Sequence, residues 1–265
     1  DVILENNPIK TTRGLTADEI LNSRLYIIDI EKPLFNTKDE EVSWVQTILM
    51  DKGKVIKKTI RTLRNTGKTK LRDWDIELYN TEQEIVDAVR KEITNKENGR
   101  TVDAIAAYNA PYDLENTKEA GDLDIGERET DPKVEVAVDF FRKLKVHGKL
   151  VLDPLRQARI RYRHLPNRKF ELVLAEAQNI PSAKIINYDQ LARLEQISKT
   201  GDTSHLNPDL IQLIEKQTKK KLEEIKNLPQ ACAEIEATYG ADDVDNLQKM
   251  LQSNWYKDHL TDCCK

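Results

Sequence analysis

The stretch Leu25-Tyr26-Ile27-Ile28-Asp29-Ile30-Glu31 constrains this chain more than any other. A short apolar run rich in β-branched residues reads as a buried strand. It ends in two acids, and because strand side chains alternate, Asp29 and Glu31 project from one face. Two carboxylates there repel each other and are costly to desolvate. A hard divalent cation between them removes that cost. Taken alone, the pair is better accounted for by a strand running into a charged loop, where one carboxylate meets solvent.

Val42–Met50 and Val55–Leu63 read as two further strands, joined at Asp51-Lys52-Gly53-Lys54 in an antiparallel hairpin. Thr81-Glu82-Gln83-Glu84 carries a capping box, and Ile85, Val86, Val89 and Ile93 give the helix behind it an apolar face. Val102–Tyr108 reads as a strand, and the acidic segment 114–132 as a loop. Helices are expected over 134–144, 154–162 and 170–178, with a strand at Leu150–Asp153. The polar segment 183–228 reads as a helical insertion containing Lys219-Lys220-Lys221, and 230–257 as a last long helix. This order gives an α/β fold with a mixed sheet flanked by helices. Residues 1–23 form an arm, 24–258 the domain and 259–265 a tail.

Composition narrows the classes. The formal net charge is −4, so any basic groove must come from local arrangement. Three cysteines, an odd count with two adjacent, do not form a disulfide framework and suggest a reducing compartment, cytoplasmic or nucleoid-associated. No apolar run approaches the ~20 residues of a membrane span, and no signal pattern opens the chain. A start at Asp1 suggests a processed piece or part of something longer. Cys263, Cys264 and His259 lack the paired spacing of a zinc site. There is no Walker-type loop, Gly-x-Ser-x-Gly elbow or His-Glu-x-x-His.

Two other motifs bear on chemistry. Tyr108-Asn109-Ala110-Pro111-Tyr112-Asp113 runs from an apolar strand into a turn closed by an acid, which alone fits an ordinary turn. Tyr239-Gly240-Ala241-Asp242-Asp243 places a phenol and a carboxylate four residues apart on one helical face. An amphipathic surface helix gives the same pair.

Taken in order, Asp-x-Glu on a first strand, Asn-x-x-x-Asp after a later strand and Tyr-x-x-x-Asp on a C-terminal helix resemble the three motifs of the DEDD, or DnaQ-like, 3′→5′ exonucleases. The form is the tyrosine variant of the proofreading domains of family B and family A DNA polymerases. Leu150 to Arg159 and Lys169-Phe170-Glu171-Leu172 are similar to the strand and helices between the second and third motifs. The resemblance covers about residues 24–250. It implies an RNase H-like fold and hydrolysis at single-stranded 3′ ends, of DNA ahead of RNA. It also implies two ions, Mg2+ or Mn2+. Asp29 would bridge both; Glu31 and Asp243 would complete the site of the ion that activates water; Asp113 would hold the second; Tyr239 would orient the water. Asn109 matches a position near the scissile bond. Phe35 is either a platform for a terminal base or a loop residue packing on the core. Arg159, in the basic run 156–169, is either a phosphate contact or part of a solvated face.

The second motif departs from the family, since Pro111 fixes its own φ and restricts Ala110; the aim of Asp113 is therefore in question. A polymerase or other replication protein is the implied partner. The alternative is a catalytically silent RNase H-like module that scaffolds a replication or repair complex. A second rival is an unrelated helical interaction protein whose acidic motifs coincide by chance.

Overall fold

Strand β1 (Arg24–Glu31) lies inside a mixed, open sheet, and Leu25 to Ile28 are each at most 2% exposed, so the apolar run is covered on both faces. The structure, a computed structural model, describes residues 22–31, 41–108, 140, 143–144, 150–152, 164, 173–176 and 186–252. Strands β2 (Trp44–Asp51) and β3 (Lys54–Thr62) form the antiparallel hairpin expected after β1. Lys52 and Gly53, both at positive φ, make a two-residue turn whose twist suits the flanking strands.

Two strands between the hairpin and the first helix were not expected from sequence. Strand β4 (Lys70–Leu71) is short, and β5 (Trp74–Leu78) runs parallel to β3. Helix α1 (Glu82–Thr94) begins at the anticipated capping box: Thr81 Oγ1 accepts from the Glu84 amide at 3.3 Å, and the Glu84 carboxylate accepts from the Thr81 amide at 3.1 Å. Strands β6 (Ala104–Ala106) and β7 (Leu150–Leu152) follow, both parallel to β1 and shorter than the sequence suggested. The strand order is β4-β5-β3-β2-β1-β6-β7.

Each face of the sheet has its own core. On one, Tyr26, Ile28, Val45 and Leu49 meet Ile85, Val86, Val89 and Ile93 of α1. Arg61 is buried on this side. It donates to Glu77 at 3.1 Å, Glu92 at 2.8 Å, Thr47 Oγ1 at 3.1 Å and the Tyr26 hydroxyl at 3.3 Å.

On the other face, Leu25, Ile27, Trp44 and Ile48 meet the last helix. Between β7 and that helix come α2 (Tyr188–Thr200) and α3 (Pro208–Thr218), capped by Asn187 and Asn207. Helix α4 (Leu228–Gln252) then returns across the sheet through Ala233, Ala237, Ala241, Val244, Leu247 and Leu251. Leu194, Ile197, Leu210 and Ile214 pack a third cluster against Cys232 and Ile235 on the first half of α4. Among the described residues, no helix is long and apolar enough to cross a membrane.

Candidate metal centre

Asp29, Glu31 and Asp243 each offer a carboxylate oxygen, and these oxygens lie within 4.8 Å of one another. The first two come from the carboxyl end of β1 and the third from α4, so the convergence is made by the fold and not by chain proximity. All three are half-buried. The donor set is three hard oxygens with no thiolate or imidazole, which suits magnesium or manganese better than zinc.

Small residues let α4 come this close. Gly240 lies against the side chain of Gln46 on β2; a Cβ there would meet Gln46 Cδ at 2.7 Å and its amide nitrogen closer still. Any larger residue at 240 must lift the helix or displace Gln46. The opposite flank of α4 is tied down to the sheet. Asp245 accepts from Lys58 at 2.9 Å and from the Trp74 indole at 3.3 Å, and Arg72 pairs with Asp242 at 2.7 Å. Gln252 donates to the Gly53 carbonyl at 3.1 Å.

Burial changes the proton affinity of two of these acids. Burial raises the Asp29 carboxyl, against hydrogen bonds from Glu31 and the Ile30 backbone. Burial also drives Glu31 well above the usual carboxylate range, and the charges of Asp29, Asp243 and Glu195 push the same way. Without a cation, the pair therefore retains protons at pH values where free carboxylates have lost theirs.

A buried polar layer lies behind Glu31. The Ser43 amide donates to the Glu31 carbonyl at 3.0 Å, and Arg64 donates to Ser43 Oγ at 3.1 Å. The same guanidinium is 3.8 Å from Glu195 of α2, a residue only 6% exposed. Next to it Glu236 of α4 is pushed up to about 8 by burial, with the Glu195 charge adding to the effect and Ser198, Arg64 and Trp44 opposing it. Cys232, one turn earlier, is held as a thiol for the same reason, pushed up to about 12 by burial.

Of the residues expected at the site, the structure brings Asp29, Glu31 and Asp243 together. Tyr239 sits one turn before Asp243 on α4, with its ring packed against the α2–α3 cluster. Asp113, Asn109, Phe35 and Arg159 lie outside the described residues. Sequence reasoning missed Gln46, Arg64, Glu195, Glu236 and the role of Gly240. Gln46 carried a signal, as a polar residue between the apolar Trp44 and Ile48 on one face of β2. Glu236 carried one too, being seven residues before Asp243 and so on the same helical stripe. Arg64 and Glu195 carried none, because only the tertiary packing of α2 joins them.

No protein-family model matches the chain, and no curated protein matches it.

Proposed function

We propose that this chain is a metal-dependent 3′→5′ exonuclease of the RNase H-like DEDD type, acting on single-stranded 3′ ends, of DNA ahead of RNA. One observation carries the reading: Asp29, Glu31 and Asp243, from opposite ends of the sequence, converge within 4.8 Å. Further support comes from the order of elements around them. A hairpin follows the Asp-x-Glu strand, β6 and β7 run parallel to it on its other side, and the helix bearing Tyr-x-x-x-Asp crosses back over it.

In this reading Asp29, Glu31 and Asp243 hold Mg2+ or Mn2+, with Asp113 as the fourth acid. The chemistry such a pair of ions supplies is charge stabilisation of the attacking and leaving oxygens and a more acidic water. The protein's own part is positional. The packing of β1 against α4 fixes the three carboxylates before substrate arrives, so little reorganisation is needed at the moment of reaction. Tyr239, on the face of Asp243, is assigned to orienting the attacking water. A polymerase or replication partner remains part of the proposal.

The test is digestion of matched DNA and RNA oligonucleotides labelled at either end, with Mg2+, with Mn2+ and with chelator. Shortening from the 3′ end that requires metal and disappears in Asp29→Ala is the expected result. Equal behaviour of the wild type and Asp29→Ala would overturn the reading in favour of a catalytically silent module.

A further inference from the structure

Gln46 stands directly across from Asp29 in the antiparallel pair β1–β2. Residues so paired share a face of the sheet, with Cβ atoms about 4.5–5.5 Å apart. That face is the one α4 closes, and it does so at Gly240, between Tyr239 and Asp243. The Gln46 amide is thus confined on the carboxylate side of the sheet, bounded by Asp29 laterally and by the glycine of α4 above.

Gln46 is 0% exposed, yet neither its amide nitrogen nor its amide oxygen has a hydrogen-bond partner among the described residues. A buried amide in that condition costs free energy that an apolar side chain of similar volume would not. Its neighbours on this strand face, Trp44 and Ile48, are core residues, so packing alone gives no reason for a polar side chain. What distinguishes position 46 from position 48 is the residue opposite. Ile48 faces Ile27, and Gln46 faces Asp29. Carboxylates that ligate cations are commonly held by a second hydrogen bond from the protein, and losing it weakens metal affinity about 10–100-fold.

We infer that Gln46 is a positioning residue of the carboxylate centre: its side-chain Nε2–H, which has no acceptor among the described residues, turns to donate to Asp29 when that carboxylate takes up a divalent cation, and holds it in its ligating orientation. The inference rests on the metal-site reading above and deepens it. It explains in one step why a polar residue is kept in a buried strand and why the helix opposite has a glycine at 240. The amide occupies the space a side chain at 240 would need.

The experiment compares the wild type with Gln46→Met and Gln46→Leu, which keep approximate volume and remove both polar atoms. Unfolding by urea in chelator reads the fold, and calorimetric titration with Mn2+ alone reads the site. The expected result is an unfolding midpoint equal to or above that of the wild type, with Mn2+ affinity reduced tenfold or more. In an Asp29→Asn background the same substitutions should leave any residual affinity unchanged, since the acceptor they act through has been altered. A further measurement needs only the wild type: the Gln46 side-chain NH2 resonances should shift on addition of Mg2+. Unchanged Mn2+ affinity in both variants, or side-chain resonances indifferent to Mg2+, overturns the inference while leaving the metal site standing. Failure of the wild type to bind Mn2+, or binding indifferent to Asp29→Ala, overturns the metal site and this inference together.

Discussion

Glu236→Gln isolates one buried proton. In the folded chain Glu236 is 6% exposed, and burial, reinforced by the charge of Glu195, raises its carboxyl to about 8 from an ordinary value of 4.5. Between those two values the folded state keeps a proton that the unfolded state has lost. The folded state then binds more protons, so stability falls as pH rises through this window and levels off above it. Each pH step within the window removes ~1.4 kcal/mol. From pH 5 to pH 7 the wild type should therefore lose about 3 kcal/mol through this group alone. Glutamine has the same shape and cannot ionise. The assay is urea unfolding in chelator at pH 5, 6, 7 and 8, for both proteins. Asp29 and Glu31 are raised in the same direction, but they titrate in both chains and cancel in the difference. The expected outcome is a gap between the curves that widens in favour of the variant by about 3 kcal/mol from pH 5 to 7. A gap constant across that range would show that the Glu236 carboxyl titrates alike in the folded and unfolded states, and would refute the reasoning.

Cation uptake at the centre must displace protons held by Asp29 and Glu31. Mn2+ affinity should thus rise between pH 5 and 8, and calorimetry in buffers of different ionisation heat should detect proton release that Asp29→Ala abolishes. Gly240→Ala gains about 1 kcal/mol of helix propensity but overpacks the contact with Gln46 at a cost of about 1–3 kcal/mol; thermal unfolding should show no net gain, and titration should show Mn2+ affinity at least tenfold weaker. Arg61→Met removes the buried one of the two cations that Glu77 and Glu92 share, leaving them Lys57, and should cost about 1–3 kcal/mol in urea unfolding. Breaking the exposed Lys70–Asp75 pair should cost under about 1 kcal/mol. Asp243→Asn should be at least as stable as the wild type in chelator, and its melting temperature should no longer rise on adding Mn2+.

Much of the sheet was legible because its signals are local. The run at 25–31 and the Lys52-Gly53 turn declare β1 and the hairpin, and Thr81 with Glu84 declares the start of α1. Strand β5 was legible and overlooked: Trp74 and Ile76 alternate inward, but the run is short and follows a polar stretch. The site was legible in its ligands and illegible in its surroundings. Asp29, Glu31 and Asp243 stand at spacings that sequence preserves. The burial of Glu195 depends on α2 folding back onto α4, and nothing near residue 195 signals that. The same holds for Arg64, whose partners, Ser43 and Glu195, lie at the entry to β2 and on a distant helix.

Three acids within 4.8 Å oppose the very docking that assembles them, so something must hold α4 in place. Part of the answer is apolar: the stripe from Ala233 to Leu251 buries itself against β1 and β2 whether or not the acids are charged. Another part is electrostatic and lies on the far flank, where Lys58, Arg72 and the Trp74 indole engage Asp242 and Asp245. The last part is the proton, since carboxyls raised by burial, and at Glu31 by neighbouring charge as well, stay neutral longer and repel less. Each of these leaves the site intact without a cation but in a state a cation improves. A ligand that binds only the folded chain stabilises it in proportion to the logarithm of its concentration over its dissociation constant. Removing an acid should therefore relieve the repulsion and forfeit the metal's contribution in the same step. A residue kept for packing alone would show no such opposition between stability with and without metal.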